Sequence, residues 1–102
     1  MIDKVKIGWK TYKVESVEPK QTLFIEGKEC YGTIDYDKQQ IDLSTTNSNA
    51  LNEVTLIHEV LHGIEDMYYL DLGEETVKRL AEAIYTVLKD NNLDIVKQCE
   101  KA

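Results

Sequence analysis

The hydrophobic period of the chain changes once, near residue 45, and that switch restricts the fold to strands followed by helices. Before it, Val5 and Ile7, then Tyr12, Val14 and Val17, stand among charged or polar neighbours, with Gly8-Trp9-Lys10-Thr11 as a turn between them. Leu23-Phe24-Ile25 is a short apolar run closed by Gly27. Tyr31 to Tyr36 reads as a strand, Asp37-Lys38-Gln39 as a turn, and Gln40 to Ser44 as the returning strand. Thr45-Thr46-Asn47-Ser48-Asn49 is rich in residues whose side chains cap helices. The pattern predicts an α+β fold, a small antiparallel N-terminal sheet packed against two C-terminal helices. At 102 residues the chain supports one hydrophobic core, so residues 1–102 are expected to form a single domain.

From Ala50 the spacing is helical. Leu51, Val54, Ile57, Leu61 and Ile64 form a stripe running to Tyr68, which predicts a core-facing helix. Leu70-Asp71-Leu72-Gly73 breaks it. A second helix is expected from about Glu74 to Asp90, with Val77, Leu80, Ala81, Ile84 and Leu88 inward, stopped by Asn91-Asn92. Leu93 to Ala102 is a tail with room for one further helical turn.

The first of these helices carries both histidines of the chain, in the array His58-Glu59-Val60-Leu61-His62. Positions i and i+4 lie one turn apart on one helix face, so the two imidazoles can grip a single Zn²⁺. Glu59, beside them, is placed to take a proton from a metal-activated water. At about 100° per residue both histidines fall within roughly 80° of the apolar stripe's centre, at the edge of the core. A helix that merely carries two histidines beside its core face is the plainer alternative.

A catalytic zinc site usually has three protein ligands, and no third histidine exists. The acidic residues after the array are Glu65, Asp66, Asp71, Glu74, Glu75 and Glu82. Glu65 shares the helix with His62, which suits a supporting or surface role. Glu82 is turned about 140° from the apolar centre of the second helix, whereas Glu74 lies only about 60° from it. Glu74 is therefore the first choice and Glu75 the alternative. Against both stands the resemblance of Asp71-Leu72-Gly73-Glu74 to a capping arrangement, in which acidic residues favour a first helical turn.

Charge and cysteine content narrow the partners. Nineteen acidic against twelve basic residues give a net charge of −7, which repels phosphate backbones and argues against nucleic acid. Cys30 and Cys99 are far apart and outside any Cys-x-x-Cys array, as expected of reduced cysteines used in packing. No apolar signal core or membrane-length stretch is present, so a cytoplasmic protein is expected.

The hairpin spanning Ile34 to Leu43, followed by Thr55-Leu56-Ile57-His58-Glu59-Val60-Leu61-His62-Gly63-Ile64, resembles the short phage and prophage relatives of the ImmA/IrrE-type zinc metallopeptidases. Glu74 to Ala81 and Tyr85 to Asn91 resemble the segment that follows their motif. The resemblance covers Tyr31 to Asn92; the first thirty residues match only in strand-like character. It implies a phage- or prophage-encoded zinc metallopeptidase of the bacterial host cytoplasm. Zn²⁺ would be held by His58, His62 and a downstream glutamate, with Glu59 as general base and a protein or peptide as substrate. The chain departs from the longer members in having no helix-turn-helix segment and no Glu-Ala-x-x-Phe-Ala form of the third-ligand motif. A non-catalytic zinc-binding interaction module is the other functional class. Tyr85 is the residue weighed as oxyanion stabiliser, against a plain packing role, and Gln40–Ser44 as the edge strand on which a substrate could lie.

Overall fold

Gly8 and Trp9 make the tight turn that starts the sheet, with Gly8 at a φ of 60°, where a side chain would be strained. In the computed structural model, which describes residues 2–18, 24–25, 28–29 and 31–93, this turn joins β1 (Lys4–Ile7) to β2 (Lys10–Val17) as an antiparallel hairpin. β3 (Phe24–Ile25) and β4 (Lys28–Glu29) form a separate two-stranded pair. β5 (Gly32–Asp35) and β6 (Gln40–Ser44) are the second hairpin. Its turn is held by the Asp35 carboxylate, which accepts the N–H groups of Asp37 and Lys38 at 3.0 and 2.9 Å.

The strand order is β1-β2-β6-β5, and β2 and β6 run parallel. The sheet is therefore mixed, where the sequence reading expected an antiparallel one. Burial supplies the reason. Ile41, Leu43 and Ser44 make β6 the more deeply buried strand of its hairpin, so β6 takes the interior place beside β2. β5 is left on the edge. A hairpin's two strands can be read from sequence, but which of them faces a third strand depends on long-range burial.

α1 (Asn49–Tyr68) starts where Ser48 caps it, the Ser48 hydroxyl accepting the Leu51 N–H at 3.2 Å. It ends at Tyr69, whose left-handed backbone (φ 57°) closes the last turn. α2 (Glu74–Asp90) follows after a short connection. Together the elements form the expected α+β arrangement, a four-stranded sheet covered by two C-terminal helices.

The core joins Ile7, Tyr12, Ile41 and Leu43 of the sheet to Leu56, Val60, Ile64 and Met67 of α1. This line differs from the expected stripe. Leu51, Val54, Ile57 and Leu61 are only half-buried, and the most deeply buried positions of α1 are Thr55, Glu59 and Gly63. α1 meets the sheet on one side and α2 on another, so its apolar residues are spread over two faces. On α2, Val77 and Ala81 are buried and Leu88 half-buried, as expected, while Leu80 and Ile84 lie at the surface.

Two glycines permit the close approach of helix and sheet. A Cβ on Gly63 would stand 2.6 Å from Ile7 Cδ1. One on Gly32 would stand 2.6 Å from Thr55 Cγ2 and 3.1 Å from the Asp42 carbonyl. Their bare backbones bring the edge strand β5 against the face of α1 that carries Thr55 and Glu59. The tail beyond Leu93, Cys30 and Cys99 lie outside the described residues. Among those residues no helix is long and apolar enough to cross a membrane.

Candidate metal centre

The 3.6-residue repeat of α1 puts His58 and His62 one above the other, and the turn between the helices brings the start of α2 against them. His58 Nε2 and His62 Nε2 are 3.2 Å apart. Glu74 spans the pair, one carboxylate oxygen 2.8 Å from His58 Nε2 and the other 2.8 Å from His62 Nε2. These three side chains form a group that can hold a metal ion, their ligand atoms all lying within 4.8 Å of one another. Two nitrogens on one tetrahedral Zn²⁺, at about 2.0–2.1 Å each, would be about 3.3 Å apart. The histidine spacing matches that requirement.

A second carboxylate orients His62. Glu65 Oε1 lies 2.7 Å from His62 Nδ1, an i to i+3 contact on α1. A carboxylate on Nδ1 assigns the proton to that nitrogen, leaving the Nε2 lone pair facing Glu74 and His58. The Glu74 oxygen there is also an acceptor, so the two lone pairs need a proton or a metal cation between them. The other Glu65 oxygen accepts the Leu72 and Gly73 N–H groups at 2.8 and 3.3 Å. One side chain thus orients a candidate ligand and anchors the connection that delivers Glu74. Burial opposes the Glu65 charge, but the Leu72 N–H, His62 and the Gly73 N–H together hold its pKa below the usual carboxylate range. Glu65→Gln is expected to reduce Zn²⁺ affinity about 10- to 100-fold, the usual effect of losing such an outer carboxylate. Competitive titration against a chromophoric chelator reads it, and undiminished affinity would remove Glu65 from the centre.

Glu59 differs from every other carboxylate of the centre. It is only 6% exposed, yet it lines the cavity beside the histidines and has no hydrogen-bond partner among the described residues. Burial, offset in part by His62 and reinforced by Glu74, pushes its pKa up to about 7. Burial also lowers the His58 pKa, against the attraction of Glu74. That favours the neutral ring that metal binding requires.

The cavity, about 590 Å³, lies between the β5 edge, α1 and α2, with Thr33, Val54 and Ala81 among its walls. The structure brings His58, His62, Glu59 and Glu74 together in it. No protein-family model, curated protein or solved structure matches this chain.

The other acidic residues separate clearly. Glu75 pairs with Arg79 at 3.0 Å on the outer face of α2, and Asp66 pairs with Lys10 at 3.3 Å. Asp71 is exposed. Glu82 is exposed too, but it lines the cavity away from the histidine pair. No side chain caps α2, whose N-cap is Gly73, but Glu74 and Glu75 do occupy its first turn, as the capping alternative expected. Tyr85 points to Glu53, with its hydroxyl donating at 3.4 Å, and does not line the cavity. The sequence reading gave Glu65 a supporting or surface role beside His62, and its contact with Nδ1 is a supporting one; the hydrogen bonds to Leu72 and Gly73 had no signal in the sequence. That reading missed β5 as the cavity wall, because strand order is not written locally.

Proposed function

We propose that this chain is a zinc-dependent metallopeptidase, with His58, His62 and Glu74 as metal ligands and Glu59 as general base. One observation favours this reading over a non-catalytic zinc-binding module: Glu59 is largely buried, opens on the cavity beside the histidines and makes no hydrogen bond among the described residues. Holding a carboxylate largely out of water without a protein partner is costly unless a bound species engages it. A site that only held metal would have no use for such a carboxylate.

Zn²⁺, when bound, supplies Lewis acidity to the water and to the scissile carbonyl. Glu59 accepts a proton from the water as its oxygen adds to the carbonyl carbon, and returns that proton to the amide nitrogen as the C–N bond breaks. The products are a carboxylic acid and an amine, which become a carboxylate and an ammonium ion when the remaining proton passes between them. The pKa of Glu59 suits both tasks near neutral pH. The substrate platform is β5, the sheet edge that lines the cavity, and not Gln40–Ser44, which lies between β2 and β5. An extended peptide pairing with this edge would pass over the histidine pair. The reading agrees with the resemblance to ImmA/IrrE-type peptidases, and with a peptide or protein as substrate.

The test combines metal analysis with digestion of a peptide library by the zinc-loaded protein. About one Zn²⁺ per chain and cleavage that stops with chelator and returns with zinc are the expected results. A zinc-loaded protein that cleaves nothing in the library would leave the non-catalytic module as the correct reading.

A further inference from the structure

Hydrolysis of an amide places negative charge on the former carbonyl oxygen, and a donor or cation aimed at that oxygen is usually worth a large part of the rate. The residues described so far supply none. His58 and His62 are spent as ligands, and Glu59, Glu74 and Glu82 are acidic. Tyr85, weighed for this role from sequence, is turned away to Glu53.

Lys78 is the one lysine or arginine among the residues lining the cavity. It stands on α2 four residues beyond Glu74, so the two side chains leave the helix on the same face, one turn apart. Burial of Val77 and Ala81 against α1 fixes the rotation of α2 and holds that face to the cavity. Glu59 reaches the cavity from α1 and Lys78 from α2, so base and cation approach a bound peptide from different helices. Although Glu74 and Glu82 are each four residues away, Lys78 forms no ion pair among the described residues.

We infer that Lys78 is a further catalytic residue, whose ammonium group stabilises the oxygen of the tetrahedral intermediate. The inference rests on the peptidase reading above. In the first step the water oxygen bonds to the carbonyl carbon, its proton passes to Glu59, and the C=O π pair moves onto oxygen, where Lys78 meets it. In the second that pair re-forms C=O, the C–N bond breaks, and Glu59 returns its proton to the departing nitrogen. The new carboxylic acid then loses its remaining proton to the amine. Lys78 gives up no proton in either step.

Lys78→Met and Lys78→Arg, each zinc-loaded, are compared with wild type on a peptide that wild type cleaves. Lys78→Met is expected to lower kcat about 100-fold with KM and zinc content unchanged, and Lys78→Arg to keep most of the rate. A second readout needs no turnover. A phosphonamidate analogue of that peptide, which carries an anionic tetrahedral group in place of the scissile amide, should bind Lys78→Met about 100-fold more weakly. The binding of a neutral peptide should be unchanged. Because Lys78 is exposed, both variants should melt with wild type. Unchanged kcat or unchanged phosphonamidate affinity in Lys78→Met would overturn the inference and leave the peptidase reading standing. So would a rise in KM confined to acidic peptides, which would make Lys78 a carboxylate anchor. A zinc-loaded wild type that cleaves nothing would overturn both.

Discussion

Glu59→Gln is expected to abolish hydrolysis while leaving Zn²⁺ bound. The substitution keeps the size of the side chain but removes its ability to accept a proton, and general-base catalysis is worth about 10²–10⁴-fold in rate. The three side chains proposed to hold the metal are untouched, so zinc stoichiometry and affinity should remain those of wild type. Zinc content and initial rates on one peptide decide it; a variant that cleaves at the wild-type rate would mean that Glu59 is not the base. The same substitution should also reveal the strain of the buried carboxylate in zinc-free protein. A carboxyl group whose folded pKa is raised to about 7 binds its proton more tightly folded than unfolded. Wild type therefore loses stability relative to Glu59→Gln as pH rises from about 4.5 through about 7, and no further above that. A shift of that size corresponds to at most about 3 kcal/mol, and the buried amide of glutamine has hydrogen-bonding needs of its own. With chelator present, denaturant midpoints at pH 5 and pH 8 should show the variant gaining about 1–3 kcal/mol on wild type between the two. A stability difference that does not change with pH would show Glu59 to be ordinarily solvated.

The second large effect concerns the ligands. His62→Ala removes a nitrogen from the centre together with its Glu65 support, and should lose most of the zinc affinity, more than the about 10- to 100-fold that an outer partner costs. Glu74→Gln removes the anionic ligand that spans both histidines and should also weaken binding strongly. Glu75→Gln and Glu82→Gln are the controls. Glu75 is engaged with Arg79 outside the centre, and Glu82 lies a full two turns beyond Glu74 on α2, so neither change should alter the affinity by more than a few-fold. Because Gly73 caps α2 without side-chain help, Glu74→Gln should leave the melting temperature of zinc-free protein nearly unchanged. That outcome separates a ligand from a cap. Equal zinc affinity in the three glutamate variants would place the third ligand elsewhere, with Glu65 and Cys99 next to be tested.

The two histidines and Glu59 were legible because a helix converts sequence spacing into spatial position directly. Once the apolar period assigned residues 50–68 to one helix, the placement of positions 58, 59 and 62 followed from 3.6 residues per turn. The limits of α2 and the inward edge carrying Glu74 were legible for the same reason. Sequence also supplied the β5–β6 hairpin, since Asp35 and the residues after it form a turn through local hydrogen bonds. The order of strands was different. Whether β5 or β6 sits beside β2 depends on the burial of Ile41 and Leu43 against α1, an interaction between residues far apart in the chain. Sequence put Glu74 ahead of Glu75, but bringing it against the histidines took the angle between two helices, which is set by Val77 and Ala81 against α1 and by Glu65 holding the backbone of Leu72 and Gly73. Sequence by itself thus determined the elements, the histidine pair and the glutamate between them, all governed by local geometry. Only the tertiary structure decided that Glu59 is largely buried with no hydrogen bond among the described residues, that β5 borders the cavity and that Glu74 stands against both histidines. Those three facts arise from helix–helix and helix–sheet contacts, whose energies are summed over residues that no short stretch of chain contains.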